Sequence, residues 1–475
     1  MPTRGQTLYI LLISILNLVL LVAPYTIKQP QASFTSKGRQ FTSIIGNRSG
    51  SMAMGNVVAL FLFSSRNSVL LYITDWSYGT YLLLHRWLGY WAVTHTIIHS
   101  AMLWKYYADA GSYAAELLRL YWRWGIVGTV AVCALIPFSL LPIRQKFYES
   151  FLVSHITLAL IFLVGYYYHI WYVYTYNWGY EIWMFAAAGI WAVDRLARIG
   201  RLVISGSRTA TITIMPDTDD EYLRIEVDGK VHEHGVAYLC FPTLSWNFWE
   251  SHPFSVSGAH TSDYGNIFVR SESDCDTNPS QEDEKNIATN TVVASQNHNS
   301  VKLHTTFFAR SRSGITVKLL KKVAVAKSHT IKIRVLLEGP YEHSGNVQSQ
   351  LAKCNRILCI AGGVGITACL PLLQANKVQA AHLFWSSRKA GLVASLGPSL
   401  DALPKSVKIE TRVGERFDVK RCVEQAFSAA GEASEQGVLA VIVSGPPGLA
   451  DEVRQIVSHT NTNQRYILID EAFSW

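Results

Sequence analysis

Two pairs of histidines, equally spaced inside separate apolar stretches, restrict this chain more than any other feature. His85 and His99 are 14 residues apart, and so are His155 and His169. Fourteen residues is close to four helical turns, so each pair falls near one helix face, its members roughly 21 Å apart along the axis. Imidazole is a common axial ligand of haem iron, and a bis-imidazole iron takes one histidine from each of two facing helices. Two helices with the same interval therefore provide for two stacked haems. The bland alternative is four unrelated histidines, each hydrogen-bonded within a bundle. Ionisable groups at membrane depth are costly enough to indicate function, which favours the paired reading. His95 shares the helical side of His99, four residues earlier. With it the interval from His85 no longer matches the second helix, so His99 is assigned as ligand and His95 as a packed or pore-side residue.

The apolar setting comes from the first 200 positions of a 475-residue chain that is 49% hydrophobic. Windows 7–24, 50–65, 81–104, 121–141, 150–174 and 178–195 are read as six membrane helices. Trp76, Tyr78, Tyr106, Tyr107, Trp122, Trp171 and Trp178 crowd their ends as an aromatic belt. Six spans put both termini on one side. Arg144, Lys146, Arg195, Arg198, Arg201 and Arg208 make that side cytosolic. The loop 25–49 dissents, carrying Lys28, Lys37, Arg39 and Arg48 on the outer side together with the sequon Asn47-Arg48-Ser49. The first window is long and has no evident small-residue cleavage site, so it reads as a retained anchor rather than a signal peptide. The net charge of +8 is dispersed, with no Lys/Arg run, and gives no reason to invoke nucleic acid. Seven cysteines form no CxxC pair, so neither a metal cluster nor a disulfide framework follows.

From about residue 203 the periodicity changes. Segments 209–214, 222–227, 236–241 and 306–308 are short and rich in β-branched or aromatic residues, suggesting a small antiparallel barrel. The stretch 271–300 is polar and reads as an insertion. After residue 345, strand-like runs at 356–361, 381–385 and 439–443 alternate with helical ones, which argues for a parallel sheet with helices on both faces. The domain division is 1–200, 201–345 and 346–475.

Four motifs in this half are candidates for chemistry. Ala361-Gly362-Gly363-Val364-Gly365-Ile366-Thr367 follows a strand and opens a helix, where backbone amides can approach a pyrophosphate. Ser386-Ser387-Arg388-Lys389 follows the next strand and could hold a 2′-phosphate, or be a solvated basic loop. His252-Pro253-Phe254-Ser255 and Glu338-Gly339-Pro340-Tyr341 are turns or strand ends in isolation; their order ahead of the glycine turn makes them informative.

In that order the set resembles the fungal ferric reductases, within the superfamily that includes the NADPH oxidases. The resemblance covers nearly the whole chain. It is carried by His85-Arg86-Trp87-Leu88-Gly89 running to His99-Ser100, Ser154-His155 running to His169, His252-Pro253-Phe254-Ser255-Val256, Gly339-Pro340-Tyr341, Gly362-Gly363-Val364-Gly365, Ser444-Gly445-Pro446 and the closing Glu471-Ala472-Phe473-Ser474-Trp475. It implies a multi-domain membrane protein: a six-helix transmembrane haem bundle, an antiparallel β-barrel FAD domain and a ferredoxin reductase-like α/β NADPH domain. His85, His99, His155 and His169 would ligate two b-type haems. His252, Pro253, Phe254 and Ser255 would seat FAD, with Gly339 and Pro340 near its pyrophosphate. Gly362, Gly363, Gly365 and Thr367 would cradle NADPH, Arg388 would take its 2′-phosphate, and Trp475 would cover the flavin ring. Two departures stand out. The family's Cys-Gly-Pro reads Ser444-Gly445-Pro446, which implies slower hydride transfer, and the glycine that often follows Gly-Pro-Tyr is Glu342.

The activity implied is electron transfer from cytosolic NADPH, via FAD and the two haems, to extracellular ferric chelates or cupric ion. The host would be the plasma membrane, with a permease or oxidase partner downstream. A superoxide-producing NADPH oxidase has identical wiring, and an impaired haem-binding member of the family is the third reading.

Overall fold

The computed structural model describes residues 2–74, 76–229, 235–244, 251–261, 303–312, 314–341, 345–375, 380–431, 437–460 and 464–471. The insertion 271–300, Glu342 and Trp475 lie outside these. The chain forms two compact units, Met1–Val203 and Ile204–Trp475.

The first unit is helical. Six long helices, α1 (Arg4–Val22), α2 (Lys37–Leu62), α4 (Tyr78–Asp109), α6 (Leu120–Phe138), α8 (Tyr148–Tyr174) and α9 (Glu181–Ser205), are joined in part by the short α3 (Val69–Thr74), α5 (Tyr113–Leu117) and α7 (Leu141–Lys146). Among the described residues, α1, α6 and α8 are long and apolar enough to cross a membrane. The others carry polar groups that dilute their hydropathy; α4 alone holds three histidines, Arg86 and Lys105.

The expected loop 25–49 needs correcting. Its second half belongs to α2, which starts 13 residues before the apolar window at position 50. Ser36 caps it, its hydroxyl accepting from the Arg39 amide at 3.2 Å. The polar residues that hid this helix are occupied within the fold. Arg48 donates to the carbonyls of Ala23 and Leu20 and stacks on Tyr25, and Arg39 stacks on Tyr106. Asn47, the sequon residue, sits mid-helix and donates to Ser43 O at 2.9 Å.

Close helix contacts depend on small residues. A Cβ on Gly165 of α8 would lie 2.9 Å from Gly128 N and 3.0 Å from its Cα, so the α6 and α8 backbones approach this closely only because position 165 is glycine. A buried polar cluster ties α1 to α2 and α4. Asn17 Oδ1 accepts from Asn56 Nδ2 at 2.7 Å and from His95 Nε2 at 3.0 Å.

The second unit holds a barrel and a sheet. Strands β1 (Ser207–Ile214), β2 (Tyr222–Asp228), β3 (Val236–Cys240), β4 (His252–Thr261), β5 (Leu303–Arg310) and β6 (Thr330–Tyr341) close in the order β1-β2-β5-β4-β3-β6, every pair antiparallel. Period-two alternation turns Ile212, Leu223, Ile225, Leu239, Phe307 and Val335 inward, and Leu319 of α10 (Ile315–Ala324) joins them. Then come α11 (Gly345–Leu351), β7 (Arg356–Gly362), α12 (Ile366–Ala375), β8 (Ala380–Ser387), α13 (Ala390–Asp401), β9 (Val407–Val413), α14 (Val419–Gly431), β10 (Leu439–Ser444), α15 (Pro447–His459) and β11 (Tyr466–Asp470). The five strands are parallel in the order β11-β10-β7-β8-β9. Leu370, Leu373, Leu392 and Leu396 of α12 and α13 pack one face; Val423, Phe427, Val453 and Val457 of α14 and α15 pack the other.

Gly165→Val is expected to cost about 1–3 kcal/mol through overpacking, read as a lower unfolding midpoint. Gly189→Ala on α9, where no atom lies within 4 Å of the added Cβ, should not lower it.

Candidate functional site

The helical unit brings the four sequence-selected histidines together in two pairs. The ring centroids of His85 and His155 are 6.2 Å apart, and those of His99 and His169 6.0 Å. Pairing 85 with 155 and 99 with 169 requires α4 and α8 to run parallel; antiparallel helices would have crossed the pairs.

Each ring is held from behind. Nδ1 of His85 faces Leu60 O at 2.9 Å, that of His99 faces Gly46 O at 2.7 Å, and that of His169 faces Tyr121 O at 2.8 Å. A carbonyl only accepts, so these three rings carry the proton on Nδ1 and leave the Nε2 lone pair free. His155 Nδ1 lies 3.2 Å from Ser139 Oγ. Two glycines that sequence reasoning passed over make room for this. A Cβ on Gly50 would lie 2.7 Å from His99 Nδ1, and one on Gly125 2.9 Å from His169 Nδ1. The available signal was Gly46 and Gly50, one turn apart across the boundary between the stretch taken as loop and the helix window that starts at position 50.

These residues fit a bis-imidazole haem. Metal–imidazole bonds of about 2 Å, with each ring nitrogen about 1.2 Å from its centroid, put the two centroids about 6.3 Å apart across one iron. Around His99 and His169 lies a cavity of about 1250 Å3, walled by Met54, Val57, Gly128 and Phe162 among others. His95 is outside this arrangement. It is completely buried, bonded to Asn17, with Trp91 beside it at 5.6 Å between centroids.

In the second unit the remaining candidates lie on the barrel wall and at one end of the sheet. On β4, Phe254 and Val256 enter the barrel core, so alternation turns the buried Ser255 and Ser257 to the opposite side. The hydroxyls of Ser257 and of Thr306 on β5 are buried without a hydrogen-bond partner among the described residues. Such orphaned groups on one wall suit the polar edge of a flavin. His252 and Pro253 start the same strand, opposite Leu239 and Tyr238. Gly339 occupies a left-handed φ of 134° opposite the β3 irregularity, where a Cβ would stand 3.2 Å from Ala237 Cα. Pro340 follows it in β6.

Parallel strands bring the carboxyl ends of β7, β8 and β10 to one edge, and with them Gly362, Gly363, Gly365, Arg388 and Ser444. Gly363 has φ 57°, with only Tyr222 Oη at 4.0 Å from where its Cβ would stand, whereas a Cβ on Gly365 would meet Ser444 O at 2.7 Å, so Gly365 lets the turn pack closely on the end of β10. Two expected roles look different in place. Thr367 is buried and its hydroxyl donates to Val364 O at 2.8 Å, which braces the turn. Arg388 is exposed, whereas Lys389 pairs with Asp219 of the loop before β2. Ser444 is completely buried and donates to Glu471 O at 3.0 Å. The neighbouring Cys369 thiol, hydrogen-bonded to Cys359 and buried, is held well above its usual pKa.

This geometry defines a class, a helical unit with two facing histidine couples followed in the chain by an antiparallel barrel and a parallel sheet, and the comparisons with known proteins are more specific. Residues 49–166 match the ferric reductase like transmembrane component family, and residues 222–345 match an FAD-binding domain. The chain thus joins a ferric reductase transmembrane domain to an FAD-binding barrel. It is 27% identical over 471 residues to "Ferric/cupric reductase transmembrane component 1" of Candida albicans, covering 96% of this chain and 54% of that one. It is 27% identical to "Ferric reductase transmembrane component 3" of Saccharomyces cerevisiae, over 80% of this chain and 46% of the relative. To "Ferric/cupric reductase transmembrane component 2" of Schizosaccharomyces pombe it is 24% identical, over 84% and 71%. It spans about half the length of the first two.

Ser444→Ala should remove the buried hydrogen bond from its hydroxyl to the Glu471 carbonyl. A loss of about 0.5–1.5 kcal/mol, seen in thermal unfolding of the purified protein, is the expected outcome.

Proposed function

We propose that this chain is a transmembrane metalloreductase that uses NADPH, FAD and two b-type haems to reduce ferric chelates or cupric ion across the membrane. The observation that carries the reading is the pair of imidazole couples at 6.2 and 6.0 Å, three of the four rings with Nδ1 on a main-chain carbonyl. When bound, flavin converts a hydride into single electrons and the haems relay them.

The residues of the chain bind and orient these groups. His85 with His155 and His99 with His169 would ligate the irons through Nε2. Held in this way by a pair of histidines each, the irons would relay electrons and would not take up a substrate. Ser255, Ser257 and Thr306 would hold the flavin edge, and Gly339 lets the backbone approach its pyrophosphate. Gly362, Gly363 and Gly365 would admit the nucleotide phosphates, with Arg388 at the 2′-phosphate. Arg144, Lys146, Arg195, Arg198 and Arg201 favour a cytosolic nucleotide-binding half and an outward electron path. Relatives named as ferric or cupric reductases support the acceptor class.

Reduced-minus-oxidised spectra with haem quantified per chain test the ligand set. Two haems are expected in the parent protein and in His95→Leu, one in His99→Leu, and equal haem content in the two variants would overturn the assignment. For the acceptor, NADPH-dependent reduction of ferric chelate by whole cells should be insensitive to superoxide dismutase. Sensitivity would identify an oxidase instead.

A further inference from the structure

The His99–His169 couple is joined to a buried carboxylate that has no part in ligation. Tyr121 stands in the first turn of α6, and its two polar ends meet different partners. Its main-chain carbonyl accepts from His169 Nδ1 at 2.8 Å, and its ring centroid lies 6.0 Å from that of His169. Its hydroxyl donates to Glu116 Oε2 on the short α5. A single tyrosine therefore separates the carboxylate from a ring assigned to the outer iron.

Burying a carboxylate is costly, and packing alone does not require one here. A neutral acceptor such as glutamine could take the Tyr121 hydroxyl at a smaller desolvation penalty. What glutamate adds is charge. The Glu116 side chain is 8% exposed, whereas that of Arg119, whose Nε lies 3.5 Å away, is 63% exposed. The guanidinium stands largely in water, where its field is screened, while the field of the carboxylate passes through protein. Two further charges at this end of the bundle, Lys105 and Asp109, form an exposed pair at 2.8 Å and offset each other.

An iron held by two imidazoles carries one more positive charge when ferric than when ferrous. A fixed negative charge nearby favours the ferric form and so lowers the reduction potential. At an effective dielectric constant of about 20, a unit charge roughly 12 Å off shifts such an equilibrium about tenfold. Resting on the bis-histidine reading of His99 and His169, we propose that Glu116 is a positioning residue of the outer haem site, which fixes Tyr121 behind His169 and lowers the reduction potential of the outer iron. The outer iron is thereby a stronger reductant than its two imidazoles alone would make it.

The test is an optical potentiometric titration of the full-length protein in detergent. Two one-electron waves are expected, and His99→Leu, which retains the inner haem alone, identifies the inner wave. Glu116→Gln keeps an acceptor for the Tyr121 hydroxyl and removes the charge. It should shift the outer equilibrium toward ferrous iron about tenfold, about 59 mV upward for one electron. Haem content should stay at two per chain and the inner wave should not move. Glu116→Asp, which keeps the charge, should hold the outer equilibrium within about threefold of the parent value. An outer wave that is unmoved in Glu116→Gln, or moved equally in both variants, overturns the role of Glu116 and leaves the haem assignment standing. Loss of the outer haem from Glu116→Gln also overturns that role, because the side chain would then serve packing alone. Fewer than two haems in the parent protein overturns the haem assignment, and the role of Glu116 with it.

Discussion

The helical unit depends on hydrogen bonds that run from imidazole Nδ1 to main-chain carbonyls of neighbouring helices. They do two things at once. Each satisfies a carbonyl that a glycine-bearing or terminal helical turn leaves accessible, and each fixes which nitrogen of the ring keeps its lone pair. Without them the rings could rotate or exchange tautomers, and the 6 Å separations would not persist. Gly50 and Gly125 matter for this reason, since bulk at those positions would push the rings forward. Helices α2 and α6 are thus as much a part of the site as the helices that carry the histidines.

Much of this was legible in the sequence, for identifiable reasons. Equal spacing of His85/His99 and His155/His169 is a property of helical repeat, and helical repeat is local. The buried strands 356–361 and 439–443 were equally plain, because strands covered on both faces read as continuous apolar runs. What stayed hidden was helix α2 before position 50. Its Arg39, Asn47, Arg48 and Ser49 depress hydropathy, and only the fold shows that Arg48 spends its donors on Ala23 and Leu20. The role of Ser444 was also hidden. Sequence placed it beside the chemistry, whereas its hydroxyl is turned to Glu471, a contact set by a parallel pairing of distant segments.

The second unit shows how one sheet separates structural from ligand-facing duties. Gly365 allows the turn after β7 to pass within contact of the β10 end, where a side chain would collide with the Ser444 and Gly445 backbone. Thr367, next to it, braces the turn, while Arg388 is exposed at the surface. The pairing of Lys389 with Asp219 links the barrel loop to the same edge, so the two layers of this unit share an electrostatic contact beside the glycine turn.

The parallel course of α4 and α8 also governs how such a chain can change over time. Dropping or adding one residue between positions 85 and 99 would swing the later imidazole by about 100° around its helix. The swing would take it away from His169, and no repair elsewhere on α4 could bring it back. A matched gain or loss on α8 would turn its own imidazole by the same angle and would not make the two rings face each other again. These two stretches therefore act as a pair of rulers cut to one length, open to drift in composition but closed to drift in count.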